Sequence, residues 1–245
     1  SNTRDKGPGH NYLIQHSAGS GKSNSIAWLA HRLSSLHDQN ENKVFDSVIV
    51  VTDRRVLDQQ LQNTIYQFEH KQGVVEKIEE DTRQLVKALA NSTPIIITTV
   101  QKFPFISETL EKLREDNAPD IHISTKNKTF AVVVDEAHSS QSGENAMELK
   151  GILNAEGIAE EAEKYAAEND LEADDEGDHL AGVVREMAKR GRQPNLSFFA
   201  FTATPKYKTK KVFDEPGESG DAPFHLYTMR QAIDERFILD VLKNY

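Results

Sequence analysis

The chain has 245 residues, no cysteine and a net charge of −10 at pH 7. This length suits one large α/β domain with a sizeable core, and the absence of cysteine excludes disulfides and thiolate metal sites. No apolar run approaches the roughly 18–20 residues of a membrane-spanning helix and no signal peptide is recognisable, so we expect a cytoplasmic protein that does not enter a membrane.

Residues 1–9 carry no initiating methionine, and the first apolar run follows almost at once. We interpret them as a junction or linker and expect the chain to belong to a longer polypeptide. The domain itself is predicted to cover residues 10–245, with an acidic, mostly helical insertion at about 144–191.

A phosphate-binding loop is predicted near the start of the chain. The apolar run Tyr12–Ile14 indicates a buried strand, and helical spacing of apolar residues follows over 24–36. Between them, residues 16–23 read His-Ser-Ala-Gly-Ser-Gly-Lys-Ser. A strand, a glycine loop, Lys-Ser and a helix together predict a P-loop, which binds phosphate through backbone amides and a helix N-terminus.

The residue types of this loop match the chemistry of nucleotide binding. Gly19 and Gly21 allow the backbone dihedrals that turn amides toward an anion. Lys22 is expected to reach the β- and γ-phosphates, and the Ser23 hydroxyl to ligate Mg²⁺. His16 departs from the usual pattern, which has glycine at that position. The predicted nucleotide-binding residues are His16, Ser17, Ala18, Gly19, Ser20, Gly21, Lys22 and Ser23.

Strand and helix patterns alternate along the rest of the chain. Apolar runs predict buried strands at 45–52, 95–99, 129–134 and 196–202, with a weaker strand at 73–78. Helices are predicted at 54–68, at 82–90 after the capping residue Asp81, at 106–115 and through 146–190. This alternation favours a doubly wound, mostly parallel sheet with helices on both faces.

Two carboxylates, Asp135 and Glu136, directly follow the strand at 129–134. Ligands bind at the carboxyl ends of strands in doubly wound sheets. Asp135 is therefore placed to hold Mg²⁺, and Glu136 to orient and deprotonate an attacking water. His138 comes two residues later, where a purely structural role would be the simpler interpretation if it stood alone.

The acidic charge is concentrated in one segment. Residues 155–178 hold 11 acidic side chains and one lysine, which accounts for the whole net charge. Such a tract predicts a solvated, peripheral helix with a flexible end. The remainder of the chain is close to neutral, so the overall charge does not exclude a nucleic-acid partner.

Hydroxyl side chains end the last strong strand. Thr202 closes the run Phe198–Phe201, and Ala203, Thr204 and Pro205 follow, with the proline stopping the strand. In isolation this is an ordinary strand-to-turn transition. After the two preceding motifs, it indicates a third part of the same site.

These stretches resemble motifs I, II and III of superfamily-two helicases and translocases: Gly-Ser-Gly-Lys-Ser, the DEAH box Asp-Glu-Ala-His, and Phe-Thr-Ala-Thr-Pro. Further stretches are similar to the restriction (R) subunit of type I restriction-modification enzymes. They are His16, Asp-Arg at 53–54, Thr-Val-Gln-Lys-Phe at 99–103, Asp-Glu-Ala-His-Ser-Ser-Gln-Ser-Gly at 135–143, and the exit sequence at 224–237.

The resemblance implies the first RecA-like lobe of a P-loop NTPase motor that uses ATP and Mg²⁺. Lys22 and Glu136 would be catalytic, and Ser23 and Asp135 would hold the metal. The residues implied to couple nucleotide state to the DNA path are His138, Thr202 and Thr204. The residues implied to contact DNA are Arg54, Thr99 and Lys102.

For the whole family subunit, the resemblance implies translocation of double-stranded DNA before cleavage. The implied partners are double-stranded DNA, the methyltransferase and specificity subunits, and a second RecA-like lobe and a nuclease domain of the same polypeptide. We find no Pro-Asp and Glu-x-Lys nuclease core in these residues, nor the late arginine motif of the second lobe. The chain by itself is expected to be nearly inactive.

Two other interpretations remain open at this point. One is the ATP-binding lobe of another superfamily-two helicase that acts in DNA repair or remodelling. The other is a P-loop nucleotide binder that is no motor, such as a kinase or a switch protein. The third motif, following the DEAH strand, argues against the latter.

Overall fold

The computed structural model describes residues 2–52, 55–68, 73–79, 81–99, 102, 109, 128–137, 149–151, 153–154, 193–213 and 223–239. The strands are Asn11–His16 (β1), Ser47–Thr52 (β2), Val75–Lys77 (β3), Ile95–Thr99 (β4), Phe130–Val134 (β5), Leu196–Thr202 (β6) and His225–Tyr227 (β7). The helices with defined bounds are Asn2–Lys6 (α1), Lys22–Ser34 (α2), Arg55–Gln67 (α3), Thr82–Ala90 (α4), Tyr207–Phe213 (α5) and Met229–Asp234 (α6).

The strands form one sheet in the order β3-β4-β2-β5-β6-β1-β7. Every strand pair in this sheet is parallel. Parallel neighbours require crossover connections, and consecutive strands such as β1 and β2 are separated in the sheet by two others. The predicted RecA-like, doubly wound parallel sheet is therefore confirmed.

Both faces of the sheet are buried, because neighbouring residues of one strand belong to different apolar clusters. Val48 and Val50 pack in one cluster, whereas Ile49 and Val51 pack in the other. Residues of α2 and α3 share the first cluster, and residues of α4 and α5 share the second. A central strand buried on both faces explains why β2 is a continuous Val/Ile run without polar alternation.

The predicted elements agree with the structure to within a few residues at their ends. The strong strands and the short one at β3 are all present, and Asp81 caps α4 by accepting a hydrogen bond from the Gln84 amide at 3.1 Å. The helix expected at 106–115 and most of the block at 146–190 lie outside the described residues. Residues 149–151 and 153 within that block are helical.

The sequence did not predict four short elements individually: α1, α5, α6 and β7. Helix α1 lies within the segment interpreted as a linker, where the Gln39 amide donates to the Asp5 carboxylate at 3.4 Å. Strand β7 extends the sheet beyond β1, although its three residues are mostly exposed. Within the described ranges, no helix is long and apolar enough to cross a membrane.

A pair of glycines before β1 allows a matched test of backbone strain. Gly7 and Gly9 both have positive φ, 75° and 91°. A Cβ at Gly9 would stand 2.9 Å from the carbonyl oxygen of Pro194, whereas a Cβ at Gly7 would meet nothing within 4 Å. We expect Gly7→Ala to cost about 1–2 kcal/mol for the left-handed backbone alone, and Gly9→Ala to cost more.

The measurement is the free energy of unfolding in urea for the two variants and the wild type. Gly7→Ala serves as the control, because it carries the conformational cost without the steric one. Equal losses in the two variants would show that the contact with Pro194 contributes nothing.

Candidate active site

The predicted motifs meet at the carboxyl edge of the sheet. Strands β1, β6 and β5 are adjacent in that order and all parallel, so their carboxyl ends point the same way. β1 leads into the glycine loop, β5 into Asp135 and Glu136, and β6 ends at Thr202. The three motifs, far apart in sequence, therefore lie together at one edge of the sheet.

The glycine loop has the backbone geometry that its sequence predicts. Gly19 and Gly21 have φ values of 73° and 81°, the left-handed region in which side chains are disfavoured. Gly21 is the N-cap of α2, and its carbonyl accepts hydrogen bonds from the amides of Asn24 and Ser25. As at any helix N-terminus, the amides that come first have no carbonyl within the helix to bond, and they are suited to an anion.

Lys22, the first residue of α2, reaches both carboxylates of the second motif. Its Nζ lies 3.0 Å from Asp135 Oδ1 and also contacts Glu136 Oε1. The side chains of Lys22 and Asp135 are 13% and 12% exposed, and that of Glu136 is 30% exposed. One cation thus offsets part of the negative charge of two partly buried acids, whose like charges would otherwise repel each other.

Glu136 adopts an uncommon backbone conformation. Its φ is 50°, in the left-handed region that non-glycine residues seldom enter. The Asp135 carboxylate accepts a hydrogen bond from the Glu136 amide at 2.9 Å, while the Asp135 amide donates to Val51 O and the Ala137 amide to Phe201 O. Neighbouring strands thus hold the turn in place, and such sparsely populated conformations cluster at functional sites.

The donor set fits a magnesium ion with a phosphate chain. The residues described contain no group of three or more His, Cys, Asp or Glu side chains that could enclose a metal ion. Mg²⁺ usually takes only one or two protein oxygens together with phosphate and water, as Asp135 and Ser23 would provide. Ser17 Oγ in the loop is buried and makes no hydrogen bond within the described residues, which suits a loop built to meet a polar ligand.

The residues of the third motif lie between the other two. Thr202 is fully buried, and its Oγ1 accepts a hydrogen bond from the Thr204 amide at 3.2 Å. Gln15 of β1 is in register with Thr202, and the Gln15 amide group reaches Ala203 O at 3.4 Å. His138, the third residue predicted for coupling, lies outside the described residues.

The residues predicted to contact DNA are only partly described. Thr99 ends β4 in register with Thr52 of β2, at the same edge of the sheet as the glycine loop. Lys102 follows and is half-buried, with its Nζ shielded from solvent. Arg54 lies outside the described residues.

Sequence reasoning missed the surroundings of His16. The His16 ring is buried, with Ser20 Oγ 2.8 Å from Nδ1, and its centroid lies 4.9 Å from that of the Tyr227 ring. Tyr227 O also accepts a hydrogen bond from the Ser17 amide at 3.1 Å. No periodicity could have predicted this, because β7 has only three residues, mostly exposed, and lies over 200 residues from the loop in sequence.

Electrostatics around this edge follow from the same contacts. Burial lowers the pKa of His16, which favours the neutral form of the ring. The hydrogen bond that the Tyr227 hydroxyl donates to Glu235 at 2.6 Å raises the pKa of Tyr227 to about 12. Tyr227 therefore remains protonated and able to donate throughout the physiological range.

Comparison with known proteins agrees with this geometry. The family model described as SWI2/SNF2 ATPase matches residues 2–160. Type I restriction enzyme endonuclease subunits of Staphylococcus aureus (strain COL) and Staphylococcus saprophyticus are each 32% identical, over 97% and 96% of this chain and 20% of their own length. A putative subunit of the same kind from Methanocaldococcus jannaschii is 27% identical over 82% of this chain and 14% of its own.

A structure of a nuclease-deletion mutant of the Type ISP restriction-modification enzyme LlaGI with a DNA substrate mimic aligns with a TM-score of 0.48 and 14% identity. It covers 96% of this chain and 19% of that one, and the likeness is too low to support a conclusion. The chain spans about a fifth of the length of the Staphylococcus relatives. The resemblance to restriction subunits of type I enzymes is confirmed, and the chain belongs to the SWI2/SNF2 ATPase family.

Proposed function

We propose that this chain is the ATP-binding motor lobe of the R subunit of a type I restriction enzyme. It would hydrolyse ATP with Mg²⁺ to translocate double-stranded DNA, before cleavage by a nuclease domain outside these residues. The observation that carries the proposal is the contact of Lys22, the first residue of α2, with Asp135 and Glu136. That arrangement joins a phosphate-binding cation to a metal-binding acid and a base.

Nucleotide binding is assigned to the loop and the start of α2. The amides of residues 17–23 would surround the phosphates, and Lys22 would exchange its contacts with the two carboxylates for contacts with the β- and γ-phosphates. Because Lys22 already lies between loop and acids, this exchange needs only a side-chain movement. The same movement would release Glu136 for its role in the reaction.

Hydrolysis is assigned to the two acids. Asp135 and Ser23 would hold Mg²⁺, which neutralises charge on the phosphates when it is bound. Glu136 would accept the proton of the attacking water, since it is the more exposed of the two acids and is held in a fixed turn. Thr202 and Thr204, between the two motifs, would transmit nucleotide state together with His138.

DNA contact is assigned to the same edge of the sheet, farther along from the nucleotide. Arg54, Thr99 and Lys102 are the proposed contacts, of which Thr99 has the clearest support from its position at the end of β4. A translocase need not read bases, so contacts to phosphates suffice. Lys102 would have to turn outward from its shielded position to take part.

The complete protein would act in the cytoplasm with methyltransferase and specificity subunits, and with a second RecA-like lobe and a nuclease domain of the same polypeptide. Supporting this assignment, the curated relatives that align over nearly all of this chain are named as endonuclease subunits of type I restriction enzymes.

The test is a steady-state ATPase assay of the full-length protein, combined with its methyltransferase and specificity subunits, with and without duplex DNA. We expect duplex DNA that carries the recognition site to raise turnover, and a triplex-forming strand placed downstream to be displaced only while ATP is hydrolysed. An ATP turnover rate that duplex DNA does not change would contradict the motor assignment. DNA-stimulated turnover that needs neither partner subunit would favour a repair or remodelling helicase.

A further inference from the structure

His16 fills a loop position that has glycine in the usual P-loop pattern, and its contacts give it a specific task. Its side chain is 6% exposed. Nδ1 lies 2.8 Å from Ser20 Oγ, and Nε2 lies 3.3 Å from Ser25 Oγ. The ring of Tyr227 packs against the His16 ring, with the ring centroids 4.9 Å apart. One imidazole therefore connects the glycine loop, the first turn of α2 and the edge strand β7.

The hydrogen-bond donors fix the state of this ring. Ser20 Oγ lies 2.5 Å from Ser17 O, and a carbonyl can only accept, so the Ser20 hydroxyl donates there. Ser20 Oγ then accepts from Nδ1–H of His16, which leaves Nε2 to accept from the Ser25 hydroxyl. Burial favours this neutral form by lowering the pKa of His16, and the nearby charge of Lys22 acts in the same direction.

We propose that His16 is a positioning residue for ATP binding: its imidazole holds residues 17–21 and the start of α2 in the shape that receives phosphate. This inference rests on the proposed function, because it concerns the same loop. A loop of small residues and glycines has many conformations, and restricting it in the binding shape lowers the ordering cost of binding. His16 acts through Ser20 and Ser25 rather than on the nucleotide itself.

The sharpest test is His16→Gly, which restores the usual glycine pattern while removing the ring and its contacts with Ser20 and Ser25. We expect the KM for ATP of the full-length protein to rise about tenfold, with kcat nearly unchanged because Lys22 and Glu136 are intact. The alternative is that His16 only occupies the glycine position and does not shape the loop. In that case His16→Gly would bind ATP at least as tightly as the wild type, and the inference would be overturned.

Two further replacements separate hydrogen bonding from ring packing. His16→Asn places an amide N–H near the position of Nδ1, where it can still donate to Ser20 Oγ, so most of the affinity should return. His16→Phe keeps a ring beside Tyr227 but makes neither hydrogen bond, and should bind ATP as weakly as His16→Gly. Wild-type affinity in His16→Phe would show that packing alone suffices and would refute the proposal.

Ser25→Ala provides a milder variant that leaves the buried ring in place. It removes only the partner of Nε2, and should raise the KM severalfold even if a His16 variant fails to fold. Combined with His16→Phe, it should add almost nothing, because both changes remove the same bond. Full additivity of the two effects would mean that Ser25 does not act through His16.

His31→Phe is the matched control. His31 lies on the same helix and its Nε2 hydrogen-bonds Ile65 O at 2.9 Å, away from the loop. It should lower the melting temperature without changing the KM. Lys22→Ala, measured alongside by calorimetry with ATP, separates the two proposals. Unchanged ATP binding in Lys22→Ala would contradict the proposed function, whereas loss there with unchanged binding in His16→Gly would contradict only this inference.

Discussion

Replacing Glu136 by glutamine is expected to reduce ATP turnover by about 10²–10⁴-fold while ATP still binds. Glutamine keeps the size and shape of the side chain but cannot accept the proton of the attacking water. Lys22 retains its ion pair with Asp135 at 3.0 Å, so the loop should keep its position. The measurement is steady-state turnover of the full-length protein with DNA, together with nucleotide affinity by calorimetry.

Glu79→Gln is a matched control for this change. Glu79 also contacts a lysine, Lys77, but the Glu79 side chain is 64% exposed and follows β3 at the far edge of the sheet. It should leave turnover and affinity unaltered. If Glu136→Gln hydrolyses ATP at the wild-type rate, Glu136 is not the base, and the left-handed turn that holds it needs another explanation.

Replacing Lys22 by alanine is expected to weaken ATP binding by at least about tenfold, and by about a hundredfold if both phosphate contacts are lost. The physical reason is the loss of a charge-assisted contact in a partly buried site. The change also leaves Asp135 and Glu136 facing the phosphates without a cation between them, which adds repulsion. Calorimetric titration with ATP and Mg²⁺ measures the loss.

Lys77→Ala is the corresponding control, because it removes an ion-paired lysine far from the loop. Melting temperatures of both variants should be recorded, so that unfolding is not mistaken for lost affinity. If Lys22→Ala binds ATP like the wild type while remaining folded, nucleotide does not bind at this loop.

These two variants separate binding from chemistry. Lys22→Ala should change mainly the affinity for ATP, and Glu136→Gln mainly the rate of its hydrolysis. Because the two side chains are in contact, their effects on turnover should not add in the double variant. An additive double variant would mean that Lys22 and Glu136 serve independent sites.

The sequence by itself predicted the main strands and helices and the candidate residues of the site. Continuous apolar runs such as Val48–Val51 indicate burial on both faces of the sheet, and such a run can be read from the local sequence. Gly19 and Gly21 have the positive φ that their residue type allows, because glycine adopts this conformation without strain. Lys22, Asp135 and Glu136 could be assigned because each directly follows or precedes a predictable element.

Only the tertiary structure decided which of these groups touch. The order of strands places β6 between β1 and β5, and nothing in the local pattern encodes that order. Strand β7 pairs with β1 although the two strands are separated by most of the chain. The contact of Tyr227 with His16 therefore could not be predicted from the sequence. Likewise, hydrogen bonds to β2 and β6 hold the turn in which Glu136 has its left-handed φ. The sequence has no glycine at this position from which that conformation could have been predicted.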